Sequence, residues 1–163
     1  MNVAEYKDLF VSEAREHLQA LNQRLLEWEK SPQDAGPVQE IFRSAHTLKG
    51  MAAAMGYDEL ALLAHDSESL LDKVRKGTLV AAPDLIQLFF QVVDALATML
   101  EDIVQNRESS LDLHAMLRRL NTYQPGVAQP AESVPPLTSP HLGGHRGVAV
   151  VPAIGVETPA PAA

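Results

Sequence analysis

Four stretches of this chain repeat apolar side chains every three or four residues, and none alternates apolar with polar residues as a half-buried strand does. That period confines the fold to packed helices. Tyr6, Phe10, Ala14, Leu18, Leu21, Leu25 and Trp28 mark one long amphipathic helix over residues 3–29. "SPQDAGP" then breaks it, because two prolines and a glycine in seven residues do not continue a helix. A second helix is predicted from near Pro37, a residue suited to a first helical turn. It carries Val38, Ile41, Phe42, Ala45, Leu48, Ala52 and Met55 and stops at Gly56. Asp58 is expected to cap a third, which buries Leu60, Leu63, Ala64, Ser67, Leu70, Leu71 and Val74 and ends at "RKG". Pro83 and Asp84 open a fourth, apolar around much of its circumference, that reaches about Gln105. Ser109 or Ser110 starts a short fifth with Leu113, Met116, Leu117 and Leu120. Four long helices with short connections predict an all-α, up-down-up-down four-helix bundle, with the fifth helix packed outside.

Composition divides the chain at about Tyr123. Residues 1–123 are rich in Leu, Ala, Glu, Asp, Gln and Arg and are the size of one domain. Residues 124–163 are mostly Pro, Ala, Gly and Val with little charge, and read as a flexible linker or disordered tail. Its "VAVVPAIGV" could form a short strand on a partner, though composition favours an apolar patch within that tail. The net charge is −8, and 19 acids against 12 bases leave −7 of it on residues 1–123. An acidic domain is a poor match to nucleic acid or to an anionic membrane surface. There is no cysteine, so neither a disulfide framework nor a thiolate metal site can form. The N-terminus lacks a secretory signal pattern, and no apolar run is expected to approach the roughly 20 residues of a membrane span. A cytoplasmic protein is expected.

"SAHTLKGMAAAMGY", residues 44–57, carries the chemistry. Glycine in a helix interior costs about 1 kcal/mol relative to alanine, and Gly50 sits one turn after His46. With about 100° per residue, His46 falls roughly 120° from the apolar centre of its helix, on the flank facing solvent. A helical side chain leans toward the N-terminus, so any side chain at position 50 would lie over the imidazole. Gly50 removes that cover. On the third helix Glu68 sits about 100° from the apolar centre in the same rotational sense. Glu68 follows Asp58 by ten residues, as His46 precedes Gly56 by ten. In an antiparallel pair the two side chains should meet across the groove, where Glu68 is expected to pack little. His65 borders the same place one turn earlier, and Arg43 and Lys49 stand three residues either side of His46.

A carboxylate that accepts the Nδ1–H of an imidazole fixes its tautomer and leaves Nε2 as the nucleophile. Glu68 would hold Nδ1–H, while Lys49, helped by Arg43 or His65, would stabilise the oxygens of a phosphoryl group on Nε2. The chain shows no Gly-rich phosphate loop and no acidic cluster for Mg²⁺, so the phosphoryl group must come from another module.

"IFRSAHTLKGMAAAMGY" resembles the phosphoryl-accepting segment of histidine phosphotransfer (HPt) domains, in particular the N-terminal domain of CheA-type chemotaxis histidine kinases. The family pattern F-R-x-A-H-[ST]-[IL]-K-G is met from Phe42 to Gly50. "EYKDLFVSEAREHLQALNQRLLEWE" is similar to the acidic first helix of such domains, and "LLAHDSESLLDKVRKGTL" to the third. His65 and Glu68 stand nineteen and twenty-two residues after His46, the family's spacing. Met51 and Met55 are larger than the small or aromatic residues expected there. The resemblance implies that His46 is phosphorylated, that Glu68 orients it, and that Lys49 and His65 assist. It also implies two-component signalling, with no cofactor held by this domain. ATP and Mg²⁺ would sit on a kinase catalytic domain in the same or a partner chain, and an aspartate of a response-regulator receiver domain would take the phosphoryl group.

Two other classes compete with this reading. One is a metal site built from His46, His65 and Glu68, opposed by two cations three residues from one ligand and by the missing paired Glu-x-x-His motifs. The other is a non-catalytic helical adaptor that docks through the His46 face. Arg43 can also simply pair with Glu40 or Asp66. His17, His114, His141 and His145 lack a supporting constellation, and Trp28 and the Phe89–Phe90 pair read as packing residues.

Overall fold

The structure is a computed structural model and describes residues 2–126. Its helices are α1 (Val3–Lys30), α2 (Ala35–Ala54), α3 (Asp58–Arg75), α4 (Pro83–Val104) and α5 (Leu113–Asn121), with no strand among the described residues. α1 packs on α2 and α4, and α3 packs on the same two helices, which closes the four-helix ring. α5 lies against α3, outside that ring. The tail expected over 124–163 falls, from residue 127 onward, outside the described residues.

Local chemistry explains the helix ends, and three of them differ from expectation. α2 begins at Ala35, two residues before Pro37, because the Asp34 side chain accepts the Gly36 N–H at 2.9 Å. Asp58 is the first residue of α3 and does not cap it. Tyr57 holds the cap position without a side-chain capping bond, and Asp58 and Glu59 place negative charge in the first turn. α5 is capped by Asp112, which accepts the Ala115 N–H at 2.9 Å, rather than by Ser109 or Ser110. Ser110 is already committed: its N–H and hydroxyl donate to Asp102 Oδ2 at 3.1 and 3.3 Å.

The core is a single apolar cluster that includes the inward faces of all five helices. Trp28 is fully buried against Phe89, with centroids 6.0 Å apart, and its indole N–H donates to the Pro32 carbonyl at 3.3 Å. Truncating a buried aromatic of this size costs roughly 3–5 kcal/mol. Phe90 is only partly buried at the edge of the cluster. α4 is long and apolar enough, by length and composition, to cross a membrane, contrary to the expectation that no run reaches that length. Its apolar residues from Leu85 to Leu100, Phe90 and Ala97 excepted, are buried in the bundle, which accounts for the composition.

The α2–α3 turn positions the site. Gly56 adopts φ +75°, the Gly56 N–H donates to Ala53 O at 3.1 Å, and the Tyr57 N–H donates to Ala52 O at 2.9 Å. This paired closure with a left-handed glycine reverses the chain at once. α3 therefore runs back antiparallel along α2, and residues equidistant from the turn come level.

Candidate functional site

His46 stands on the solvent flank of α2 with 60% of its side chain exposed. Its Nδ1 lies 2.8 Å from Glu68 Oε1 on α3. Lys49, one turn further along α2, places Nζ 2.7 Å from Glu68 Oε2 and 3.5 Å from His46 Nδ1. One carboxylate thus holds an imidazole on one oxygen and an ammonium on the other. The Glu68 side chain is only 15% exposed, so it is more deeply seated than a groove residue of little packing. Burial pushes its carboxyl up, but hydrogen bonds from Lys49 and His46, with the charge on both, outweigh that and hold it below the ordinary glutamate value. It therefore stays a carboxylate at neutral pH, and in the neutral tautomer whose Nδ1–H it accepts, the lone pair is on Nε2.

Gly50 is exposed, and a Cβ built on it would meet nothing within 4 Å. The imidazole itself does not need the room. The glycine leaves the helix surface one turn after His46 open.

The remaining expected residues are dispersed. His65 turns its Nδ1 to Asp66 Oδ1 at 3.2 Å, and Asp66 Oδ2 accepts from Asn121 of α5 at 2.8 Å. Arg43 pairs with Glu40 at 3.3 Å. Lys49 lies on the Nδ1 side of the ring and is engaged with Glu68 Oε2. No three His, Asp or Glu side chains converge as a metal site among the described residues.

Sequence reasoning missed one neighbour of the imidazole and the cation that stacks on that neighbour. The Phe42 ring lies nearly parallel to it, with centroids 6.3 Å apart and planes at 19°. Arg75, in the last turn of α3, sets its guanidinium carbon 3.9 Å from the Phe42 centroid. Phe42 was legible as a neighbour, because a residue four before His46 shares its face. Arg75 was not, since only the α2–α3 pairing brings it there.

The Hpt domain family matches residues 5–121. This chain belongs to the Hpt domain family. It is 38% identical over 138 residues to the chemotaxis protein CheA of Bacillus subtilis, covering 82% of this chain and 20% of that protein. To CheA of Listeria monocytogenes it is 46% identical over 106 residues, covering 65% of this chain and 17% of the relative. The Hpt chain therefore spans about a fifth of the length of these relatives, or less. Its fold is similar to the solution structure of the histidine phosphotransfer domain of CheA, with a TM-score of 0.68 and 35% identity over 77% of this chain and 96% of that one.

Proposed function

We propose that His46 is the phosphoryl acceptor of this Hpt domain and that it works in a chemotaxis-type two-component relay. The observation that carries the reading is the 2.8 Å contact between Glu68 Oε1 and Nδ1 of a ring that is 60% exposed. A kinase catalytic domain, in the same or a partner chain, presents Mg²⁺-bound ATP; no cofactor is assigned to this domain. The Nε2 lone pair attacks the γ-phosphorus, the bond from that phosphorus to the β,γ-bridging oxygen breaks, and ADP departs with the electron pair. No proton leaves the imidazole in this step. It becomes an N-phosphorylated imidazolium that keeps its Nδ1–H, and the Glu68 carboxylate balances the new charge. Lys49 shifts from Glu68 toward the phosphoryl oxygens. In the second step a carboxylate oxygen of a receiver-domain aspartate attacks phosphorus. The N–P bond breaks, and neutral His46 is restored with Nδ1–H in place.

The acidic surface supports protein domains rather than nucleic acid or an anionic membrane as partners. A cytoplasmic location follows from this relay. The test is incubation with a CheA-type kinase catalytic domain and γ-labelled ATP. An acid-labile, base-stable label that is lost in His46→Gln is expected. Absence of label on wild-type protein would leave the helical adaptor reading in its place.

A further inference from the structure

Along α2, Gln39, Phe42, His46 and Lys49 succeed one another in steps of three and four and so share one stripe beside α3. A chain of contacts runs along it. Arg75 Nε donates to Gln39 Oε1 at 2.9 Å, and Arg75 Nη1 pairs with Asp72 at 3.3 Å. These two bonds hold the guanidinium plane over Phe42, 3.9 Å from its centroid. Phe42 in turn lies face to face, offset, with the His46 imidazole. Beyond the imidazole come Glu68 and Lys49.

A single hydrogen bond does not determine a ring's placement. The terminal torsion of histidine is broad, and the Nδ1–Glu68 contact leaves the ring free to rock about the hydrogen-bond axis. A parallel aromatic neighbour restricts that motion, because aromatic pairs settle into either offset-stacked or edge-to-face arrangements, and the 19° between the Phe42 and His46 planes belongs to the first. The neighbour must itself be held, and Phe42 is only partly buried. Arg75 supplies that hold: a planar, permanently charged group suited to stacking on an aromatic face, anchored by its own fork of donors.

We propose that Phe42, braced by Arg75, is a positioning residue that sets the plane of the His46 imidazole, so that Nδ1–H meets Glu68 while Nε2 faces the incoming phosphorus. The inference rests on His46 being the acceptor. Phe42 touches neither the phosphoryl group nor the nucleotide and acts only through the ring. Reacting atoms must be aligned closely, and a misplacement of about 1 Å can cost as much as a hundredfold in rate.

The test uses the 163-residue protein as wild type, Phe42→Leu, Phe42→Tyr and Arg75→Gln. Nitrogen-15 shifts of the His46 ring report its tautomer, and labelling rates at varied domain concentration separate kcat from KM. Phe42→Leu should lower kcat about tenfold or more, with little change in KM, and mix the two tautomers. Phe42→Tyr keeps the ring and should restore both readouts. Arg75→Gln should move them in the same direction as Phe42→Leu by a smaller step. Wild-type tautomer and kcat in Phe42→Leu would overturn the proposal, as would a rise in KM alone, which would make Phe42 a docking residue. Should Phe42→Leu fail to fold, Arg75→Gln decides, because its side chain lies at the surface. A wild-type ring and rate in that variant sink the idea. If wild-type protein takes no label, the acceptor reading fails, while the nitrogen shifts still report whether Phe42 places the ring.

Discussion

Glu68 bridges two residues of the neighbouring helix, with Oε1 2.8 Å from His46 Nδ1 and Oε2 2.7 Å from Lys49 Nζ. Glu68→Gln keeps the shape of this bridge and removes its charge. Phosphorylation of His46 is expected to slow roughly ten- to a hundredfold, as when an outer hydrogen-bond partner of a ligating histidine is lost. Initial labelling rates measure this, and equal rates would take Glu68 out of the chemistry.

The same carboxylate makes a pH prediction. Its folded-state pKa lies below the usual value of 4.5, so its contribution to stability is present above that value and is lost as pH falls through the folded-state pKa. Thermal melts of Glu68→Gln should show a flatter decline than wild type on the acid side of 4.5. A decline of wild-type steepness would show that the bridge contributes nothing to the fold.

Gly50 sets stability against access. Since a Cβ there meets nothing, Gly50→Ala should stabilise the domain by about 1 kcal/mol and raise Tm by a few degrees. Gly50→Leu should also melt no lower than wild type, yet lose most of its labelling, because the longer side chain fills the approach to His46. Wild-type labelling in Gly50→Leu would show that the partner approaches from another side.

Lys49→Ala should leave the fold intact and slow phosphorylation by roughly a hundredfold, the loss of one donor aimed at developing charge. His65→Gln should have the smaller effect, because its imidazole faces Asp66. Parallel labelling of the two variants orders them, and a larger loss in His65→Gln would reverse these assignments.

Asp102 is 3% exposed and fastens the α4–α5 loop. Its carboxyl is held below the usual 3.8 chiefly by the Ser110 N–H, against the opposing effect of burial, with help from Arg107 at 2.8 Å and the Ser110 hydroxyl. Asp102→Asn should lower Tm at neutral pH and flatten the melting profile on the acid side of 3.8, where wild type loses this contribution. His46 labelling should stay near wild type. An unchanged Tm would mean the loop is held by its apolar contacts alone.

The helices and their order were readable because their signals are local. The three- and four-residue step, the prolines and the left-handed glycines act within a turn or two of their own position. The cap of α5 was misread for the complementary reason. Ser110 is a good cap in isolation, but a buried carboxylate eight residues earlier in the chain claims it.

The site divides along the same line. His46 and Glu68 could be paired from the chain alone, because a two-helix hairpin with a tight turn has one register, and equal distances from Gly56 and Asp58 put them level. The deep seat of Glu68, the turn of His65 toward Asp66 and the Arg75–Phe42–His46 stack could not. Each depends on how side chains 22 to 36 residues apart share the space between helices, or on a third helix that holds one of them. Periodicity says which flank a residue occupies. Only packing decides which neighbour on that flank it touches.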